Sequence, residues 1–165
     1  MNLQLGFDAL LLPEMADKAE NVGVAKAHQG AFQMLSLAVL AGAFIALGAV
    51  FSTTAVSGAI GIPLGLVKII SGVTFSLGLI MVVVGGAELF TGNNLLVMTW
   101  ANHKVSTGQL LRNWIIVYFG NFVGAILTAI MIYLTEISMQ EDGIQGQTAL
   151  ISANDKTGLE FLPAW

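Results

Sequence analysis

Long uncharged stretches, separated by a few polar positions, dominate the pattern along this chain. No charged residue occurs between Lys26 and Lys68, between Lys68 and Glu88, or between Arg112 and Glu136. A helix of about 20 apolar residues crosses the ~30 Å hydrocarbon core of a membrane, and these stretches lack the polar face of a surface helix. The pattern therefore predicts an all-α integral membrane protein.

The polar positions also predict where the elements begin and end. Pro63 suits the first turn of the second span. The N-terminal segment has apolar residues at helical spacing and acidic residues on another face, so it is either a helix packed under the spans or a gate at a channel mouth. We predict a single transmembrane domain over 1–165 with a cytoplasmic amphipathic helix (7–28), span one (32–53), a broken span two (63–100), span three (110–134), an external loop (136–156) and the start of span four (159–165).

A polar segment, Gly85–Asn94, interrupts the second span. A carboxylate, a hydroxyl, two amides and several glycines are unfavourable against lipid. Irregular backbone at this depth is tolerated only where it is buried in protein or lines a water-filled cavity. The segment therefore predicts a deliberately broken helix that lines a passage for a small polar solute, which indicates a channel or transporter.

Five residues give this segment its predicted loop structure: Gly85, Gly86, Glu88, Gly92 and Asn93. An ionised carboxylate in a pore would repel anions. We therefore expect Glu88 to brace the loop by accepting hydrogen bonds from the loop's own N–H groups, with a proton relay as the alternative.

Composition and charge restrict the function further. Hydrophobic residues make up 56% of the chain and charged residues 10%, against about 25% charged in soluble domains. The absence of cysteine excludes disulfides, thiolate metal sites and cysteine nucleophiles. Neither His28 nor His103 has a metal-ligand spacing, and the sequence has no catalytic or nucleotide-binding motif. We expect no cofactor, no enzymatic activity and no nucleic-acid partner.

Orientation in the bilayer follows from lysine and arginine in the short loops. Four of these residues fall on the N-terminal side of the membrane and two, Lys68 and Lys156, on the other. This distribution predicts a multi-pass protein of the inner (plasma) membrane whose N-terminus is cytoplasmic.

The segment Val83–Gly92 resembles the first signature of the formate/nitrite transporter family. Further similar segments run collinearly along the chain: Gly23–Ala27, Phe75–Leu79, Asn113–Trp114 and Tyr118–Asn121. The resemblance implies an aquaporin-like inverted-repeat fold of six spans, of which the first three are present here. It also implies a homopentamer with one pore in each protomer.

The resemblance assigns roles to residues that periodicity alone would treat as packing or capping. It implies that the Thr91 hydroxyl hydrogen-bonds in the pore and that Lys156 draws anions into it. It further implies apolar constrictions at Leu79, Leu89 and Phe90, with the Phe75 ring near the outer one. No residue of this chain corresponds to the family's pore histidine, which lies on a second broken helix.

The function implied by this resemblance is transport of small monovalent anions. Formate is the first expectation, by passive or proton-coupled passage, with nitrite or hydrosulfide as alternatives. Dehydration of an anion is unfavourable, and N–H groups from Thr91 to Asn94, where the helix resumes, are expected to offset it. Broken helices usually occur in pairs. We therefore expect a clipped transporter, with a non-transporting membrane subunit or fragment as the competing hypothesis.

Overall fold

The computed structural model describes residues 12–139 and 141–158. Within these ranges the chain is all-α and contains no strand. It forms α1 (Leu12–Ala27), α2 (Ala31–Val56), α3 (Leu64–Val84), α4 (Phe90–Asn93), α5 (Leu96–Ala101), α6 (Thr107–Leu134), 3-10 turns at Ile137–Met139 and Glu141–Gly143, and α7 (Ile144–Thr157).

Three of these helices, α2, α3 and α6, are long and apolar enough to cross a membrane. The shortest, α3, has 21 residues and is therefore about 32 Å long at 1.5 Å per residue. Helix α2 lies between the other two and packs on both. Only 11% of the most apolar stretch of α3 is buried against the rest of the chain, compared with 28% for α2.

Glycines allow α2 and α6 to approach each other at backbone distance. A Cβ added at Gly42 would lie 2.0 Å from the carbonyl oxygen of Asn121, and one at Gly124 would lie 2.0 Å from that of Val39. Any larger residue would separate the helices. Small residues commonly allow such close packing in membranes, where there is no hydrophobic force between helices.

The observed helix boundaries differ from the predicted ones for local reasons. Helix α6 begins at Thr107 because Ser106 and Gln109 form a reciprocal capping box. Pro63 precedes α3 as its cap and is not in its first turn. The resumed part of the second span is divided into α4 and α5.

The segment predicted as an external loop over residues 136–156 is largely helical. Helix α7 follows Gly143, which has a left-handed backbone (φ 75°). The Nε2 of Gln145 donates a hydrogen bond of 2.6 Å to Thr54 Oγ1, which attaches α7 to the end of α2. Residues 7–11 of the predicted amphipathic helix and 159–165 of the predicted fourth span lie outside the described residues.

Candidate functional site

The break between α3 and α4 is a loop whose backbone turns back toward α2. Gly86 adopts a left-handed conformation (φ 60°), which glycine adopts without strain. The N–H of Ala87 then donates to the carbonyl of Val82 at 3.0 Å, and the N–H of Glu88 donates to Leu37 of α2 at 3.1 Å. The loop is therefore hydrogen-bonded to two helices before α4 begins.

One side chain of α6, Asn121, holds the loop from the other side. Its Oδ1 accepts a hydrogen bond of 2.9 Å from the N–H of Phe90. Its Nδ2 donates to the carbonyl of Glu88 at 2.9 Å and to that of Ala38 in α2 at 2.8 Å. A single side-chain amide therefore joins α2, the loop and α6. It provides hydrogen-bond partners for backbone groups that lose theirs where the helix is broken.

The Glu88 side chain forms a buried polar cluster with the N-terminal helix. Its Oε2 accepts hydrogen bonds from Lys26 Nζ at 2.7 Å and from Asn93 Nδ2 at 2.8 Å. Lys26 also donates to Asn93 Oδ1 at 2.8 Å, and Asn93 Nδ2 donates to Asn113 Oδ1 at 3.0 Å. Glu88, Asn93 and Asn113 are all buried. The lysine balances the carboxylate charge, so the cluster is nearly neutral as a whole.

The expected partners of Glu88 were therefore wrong, although the side chain does brace the loop. We expected it to accept from the loop's own N–H groups, but those of Gly86, Ala87 and Glu88 donate to backbone carbonyls and that of Phe90 donates to Asn121. Two N–H groups expected to face the passage are also occupied: those of Asn93 and Asn94 donate to the carbonyls of Leu89 and Gly92.

The Glu88→Gln substitution is expected to lower the free energy of unfolding by about 2 kcal/mol, because hydrogen bonds to a charged group are the stronger ones. Thermal unfolding of the detergent-solubilised protein measures the effect, with Glu136→Gln at an exposed position as the control. An unchanged melting temperature together with a large change in anion preference would instead place the carboxylate in a pore.

Of the predicted pore residues, Thr91 lies on the open side of the loop, the side on which Thr91 and Gly92 are exposed. It is exposed, and its hydroxyl makes no hydrogen bond to any other residue in the described ranges. The neighbouring Gly92 lines a cavity of about 250 Å³ between α1 and α5, together with Lys26, Val22 and Leu95.

The predicted apolar constrictions divide into two groups. Phe75 and Leu79 lie four residues apart on α3, and Leu79 is 44% exposed. Leu89 packs against the buried cluster that contains Ala41. The Phe90 ring meets the rings of Trp114 and Tyr118 edge-on, with centroids 6.3 and 5.5 Å away. The structure places Leu89, Phe90 and Thr91 together at the loop, while Phe75 and Leu79 lie on α3.

Lys156 falls within α7, but its side chain lies outside the part of the chain that the structure describes. Its predicted attraction of anions therefore stays a prediction.

The N-terminal helix packs beneath the spans at the turn between α5 and α6. A Cβ at Gly23 would lie 2.1 Å from the Thr99 hydroxyl, so the two helices are in close contact. Glu20 accepts hydrogen bonds from Lys104 and Asn102. The Lys104 hydrogen bond holds the pKa of Glu20 below its ordinary value, so this attachment weakens only as the pH falls through that lowered pKa.

Several residues of the site were not predicted from the sequence. Lys26, Asn113 and Asn121 lie within segments that resemble the family, but the sequence assigned none of them a role in the site. The sequence does carry one signal for these contacts: three asparagines stand among apolar residues, Asn93, Asn113 and Asn121. A buried amide needs hydrogen-bond partners, so each of them indicates a polar contact inside the protein. Their pairing with each other and with the loop required the fold.

Comparison with known proteins gives matches along nearly the whole chain. Residues 13–165 match the family model described as formate/nitrite transporter. The chain is 42% identical over 158 residues to the formate channel FocA of Escherichia coli K12, covering 96% of this chain and 55% of that protein. It is 41% identical over 155 residues to FocA of Haemophilus influenzae, covering 94% and 55%.

A solved structure described as a pentameric formate channel with formate bound is also similar. The TM-score is 0.73 at 35% identity, and the match covers 81% of this chain and 52% of that one. The chain thus spans about half the length of the relatives it matches.

Proposed function

Because the chain belongs to the formate/nitrite transporter family, we propose that it forms part of a membrane channel for small monovalent anions, with formate as the first substrate. The observation that carries the proposal is the rigid break in the second span. Asn121 and the Glu88 cluster fix its backbone, while Thr91 and Gly92 stay exposed on its open side. The relatives it matches are channels, which supports transport and gives no support to catalysis.

The exposed Thr91 hydroxyl on the open side of the loop can stabilise an anion that has lost its bound water. A hydroxyl without another partner can donate to a carboxylate oxygen, and such charge-assisted bonds are the strong ones. The Glu88 charge is balanced by Lys26 at 2.7 Å, so it does not repel anions from the passage. Formate, nitrite and hydrosulfide have the same charge and similar size, and the described residues favour none of them over the others.

The assembly and orientation belong to the same proposal. The similarity to a pentameric channel supports a homopentamer in a lipid bilayer. The four-to-two distribution of Lys and Arg residues supports a cytoplasmic N-terminus in the inner membrane. Under this orientation the cavity beside Gly92 opens to the cytoplasm, and the α2–α3 turn lies outside.

Formate flux into proteoliposomes tests the function. We expect this chain, joined after residue 165 to the unmatched half of the Escherichia coli formate channel, to carry formate. In this chimera Thr91→Val should lower the flux by about tenfold or more, since one hydrogen bond to a charged group is lost. Thr91→Ser retains the hydroxyl and should keep most of the flux. The melting temperature of Thr91→Val should be unchanged, because the side chain is exposed.

Two outcomes would contradict this proposal in different ways. Equal formate flux in this chimera and in its Thr91→Val variant would show that the hydroxyl takes no part in passage. Absence of formate flux, with saturable nitrite or hydrosulfide flux, would leave the channel in place and change its substrate.

A further inference from the structure

An exposed apolar groove runs between α2 and α6 near the N-terminal end of each helix. It has a volume of about 340 Å³ and is lined by six residues: Ala31, Phe32, Leu35, Ile115, Ile116 and Phe119. All six side chains are apolar. Phe32 is 84% exposed and Phe119 is 58% exposed, so the rest of the described chain leaves both rings largely uncovered. The groove is therefore suited to a hydrocarbon chain.

The groove has one closed end and one charged end. A Cβ added at Gly120 would lie 2.4 Å from the Cβ of Ala38, so the two helices are in contact just beyond Phe119 and leave no space there. In the other direction, Arg112 precedes Ile115 by three residues and Phe119 by seven, which places all three on one face of α6. Arg112 therefore lies at the open end, about 10 Å from Phe119 along the helix axis.

Arg112 differs from two other basic residues on its side of the membrane. Lys26 and Lys104 each pair with a glutamate. Arg112 is exposed and has no carboxylate within 4 Å among the described side chains. Both of its terminal nitrogens donate to one backbone carbonyl, that of Gln29, at 3.2 Å. Since a guanidinium has five N–H donors, three of them remain for an anionic group.

The start of α2 adds to the positive potential beside Arg112. Gly30 caps this helix without any side-chain hydrogen bond, and the first N–H groups of a helix have no partner within it. The partial positive charge at a helix N-terminus favours an anion. Gln29, whose carbonyl binds Arg112, directly precedes Gly30, so the guanidinium and the helix start lie next to each other.

We propose that this groove binds one acyl chain of an anionic phospholipid, whose phosphate accepts hydrogen bonds from Arg112. A guanidinium can donate two parallel hydrogen bonds to a phosphate. Basic pockets between transmembrane helices on the cytoplasmic side bind anionic head groups, and the proposed orientation places Arg112 on that side. The apolar lining alone would fit a second copy of this chain equally well, but the unpaired guanidinium at its open end favours the lipid.

Native mass spectrometry of the detergent-solubilised protein tests this binding. The protein is mixed with equal amounts of phosphatidylglycerol and phosphatidylcholine that carry the same acyl chains, and the bound amounts are compared. We expect phosphatidylglycerol to bind about fivefold more tightly, which is the contribution of one basic residue near a membrane surface. Arg112→Gln should lower this preference to less than about twofold. Arg112→Lys retains the charge and should keep most of the preference.

Matched substitutions separate this site from a general attraction to lipid. Lys68→Gln removes another exposed cation at the opposite end of the spans and should leave the preference unchanged. Ile115→Trp takes up space that the acyl chain needs and should lower the binding of both lipids severalfold. Leu127→Trp, at a position of α6 with similar exposure (51% compared with 57% for Ile115), should not. The melting temperatures should stay close to the parental value, because all these positions are exposed.

Three outcomes would overturn the proposal. A parental protein that binds both lipids equally would show that Arg112 does not select the head group. An equal loss of preference in Arg112→Gln and Lys68→Gln would show that anionic lipids gather around any exposed cation. Unchanged lipid binding in Ile115→Trp, together with a changed number of subunits in the complex, would identify a second copy of this chain as the occupant. None of these measurements involves formate, so they test the lipid site independently of the proposed function.

Discussion

Asn121→Leu is expected to destabilise the protein by about 3–5 kcal/mol, more than the expected effect of Glu88→Gln. Leucine has the same branched arrangement of heavy atoms as asparagine but neither donates nor accepts, so the N–H of Phe90 and the carbonyl of Glu88 lose the bonds that Asn121 provides. An unsatisfied buried polar group costs about 1–3 kcal/mol, and more where lipid excludes water. Denaturation of the detergent-solubilised protein by increasing fractions of SDS measures the difference.

Two further variants separate the hydrogen bonds from packing. Phe122→Leu changes the neighbouring residue, which is 57% exposed, and should alter stability by less than about 1 kcal/mol. Asn121→Gln retains both groups on a longer side chain and should lie between the parental protein and Asn121→Leu. If Asn121→Leu unfolds at the parental SDS fraction, the loop is held by other contacts and the assigned role of Asn121 is wrong.

The spans of this protein were predictable because their signal is local. Uncharged runs long enough to cross a bilayer identify α2, α3 and α6, and the polar segment from Gly85 identifies the break. The predicted all-α membrane fold and the family resemblance are both confirmed. Even the earlier start of α6 had a sequence signal, since Ser106 followed by Gln109 has the spacing of a capping box.

The contacts that hold the loop were not predictable, because they join residues far apart in the sequence. Lys26 reaches Glu88 across 62 positions and Asn93 across 67. No helical periodicity indicates which lysine will meet a buried carboxylate. Because Lys26 could not be identified as the partner of Glu88, the prediction assigned the nearest donors in the sequence, the loop's own N–H groups, to the carboxylate.

Helix α7 was missed for a different reason. Its sequence, from Ile144 to Thr157, is polar and carries a glycine at position 146, so its local signal resembles that of a loop. Tertiary contacts decide its structure: Gln145 bonds Thr54 on α2, and Gly146 approaches the carbonyl of Ser138, where a Cβ would lie 2.8 Å away. Weak helix propensity is routinely overridden by such packing.

Proteoliposomes that contain only a polypeptide of residues 1–165 are expected to show no formate flux above that of empty vesicles. A pore must be enclosed on every side, but Thr91 and Gly92 are exposed and only 11% of the most apolar stretch of α3 is buried. Helices α2 and α6 cover one side of the loop. In inverted-repeat transporters, the binding site lies at the interface of two halves, and the relatives matched here are about twice as long.

A chimera provides the matched positive control for this experiment. Joining the unmatched half of the Escherichia coli formate channel after residue 165 supplies a second half from a protein that is 42% identical over the first. We expect the chimera to carry formate and its Thr91→Val variant to lose most of that flux. Both polypeptides should be reconstituted at equal protein-to-lipid ratios, with incorporation measured before the flux.

Saturable flux from residues 1–165 alone, abolished by Thr91→Val, would contradict the prediction and show that this chain forms a pore without a second half. The dependence of flux on protein concentration would then distinguish a pore formed by several copies from one formed by a single chain. Flux through a pore closed between several copies would rise more steeply than linearly with the protein-to-lipid ratio, whereas flux through a single chain would rise linearly. The exposed face of α3 would have to become buried in such an assembly. The labelling rate of Val83→Cys, at a position that is 79% exposed, should therefore fall as the flux appears.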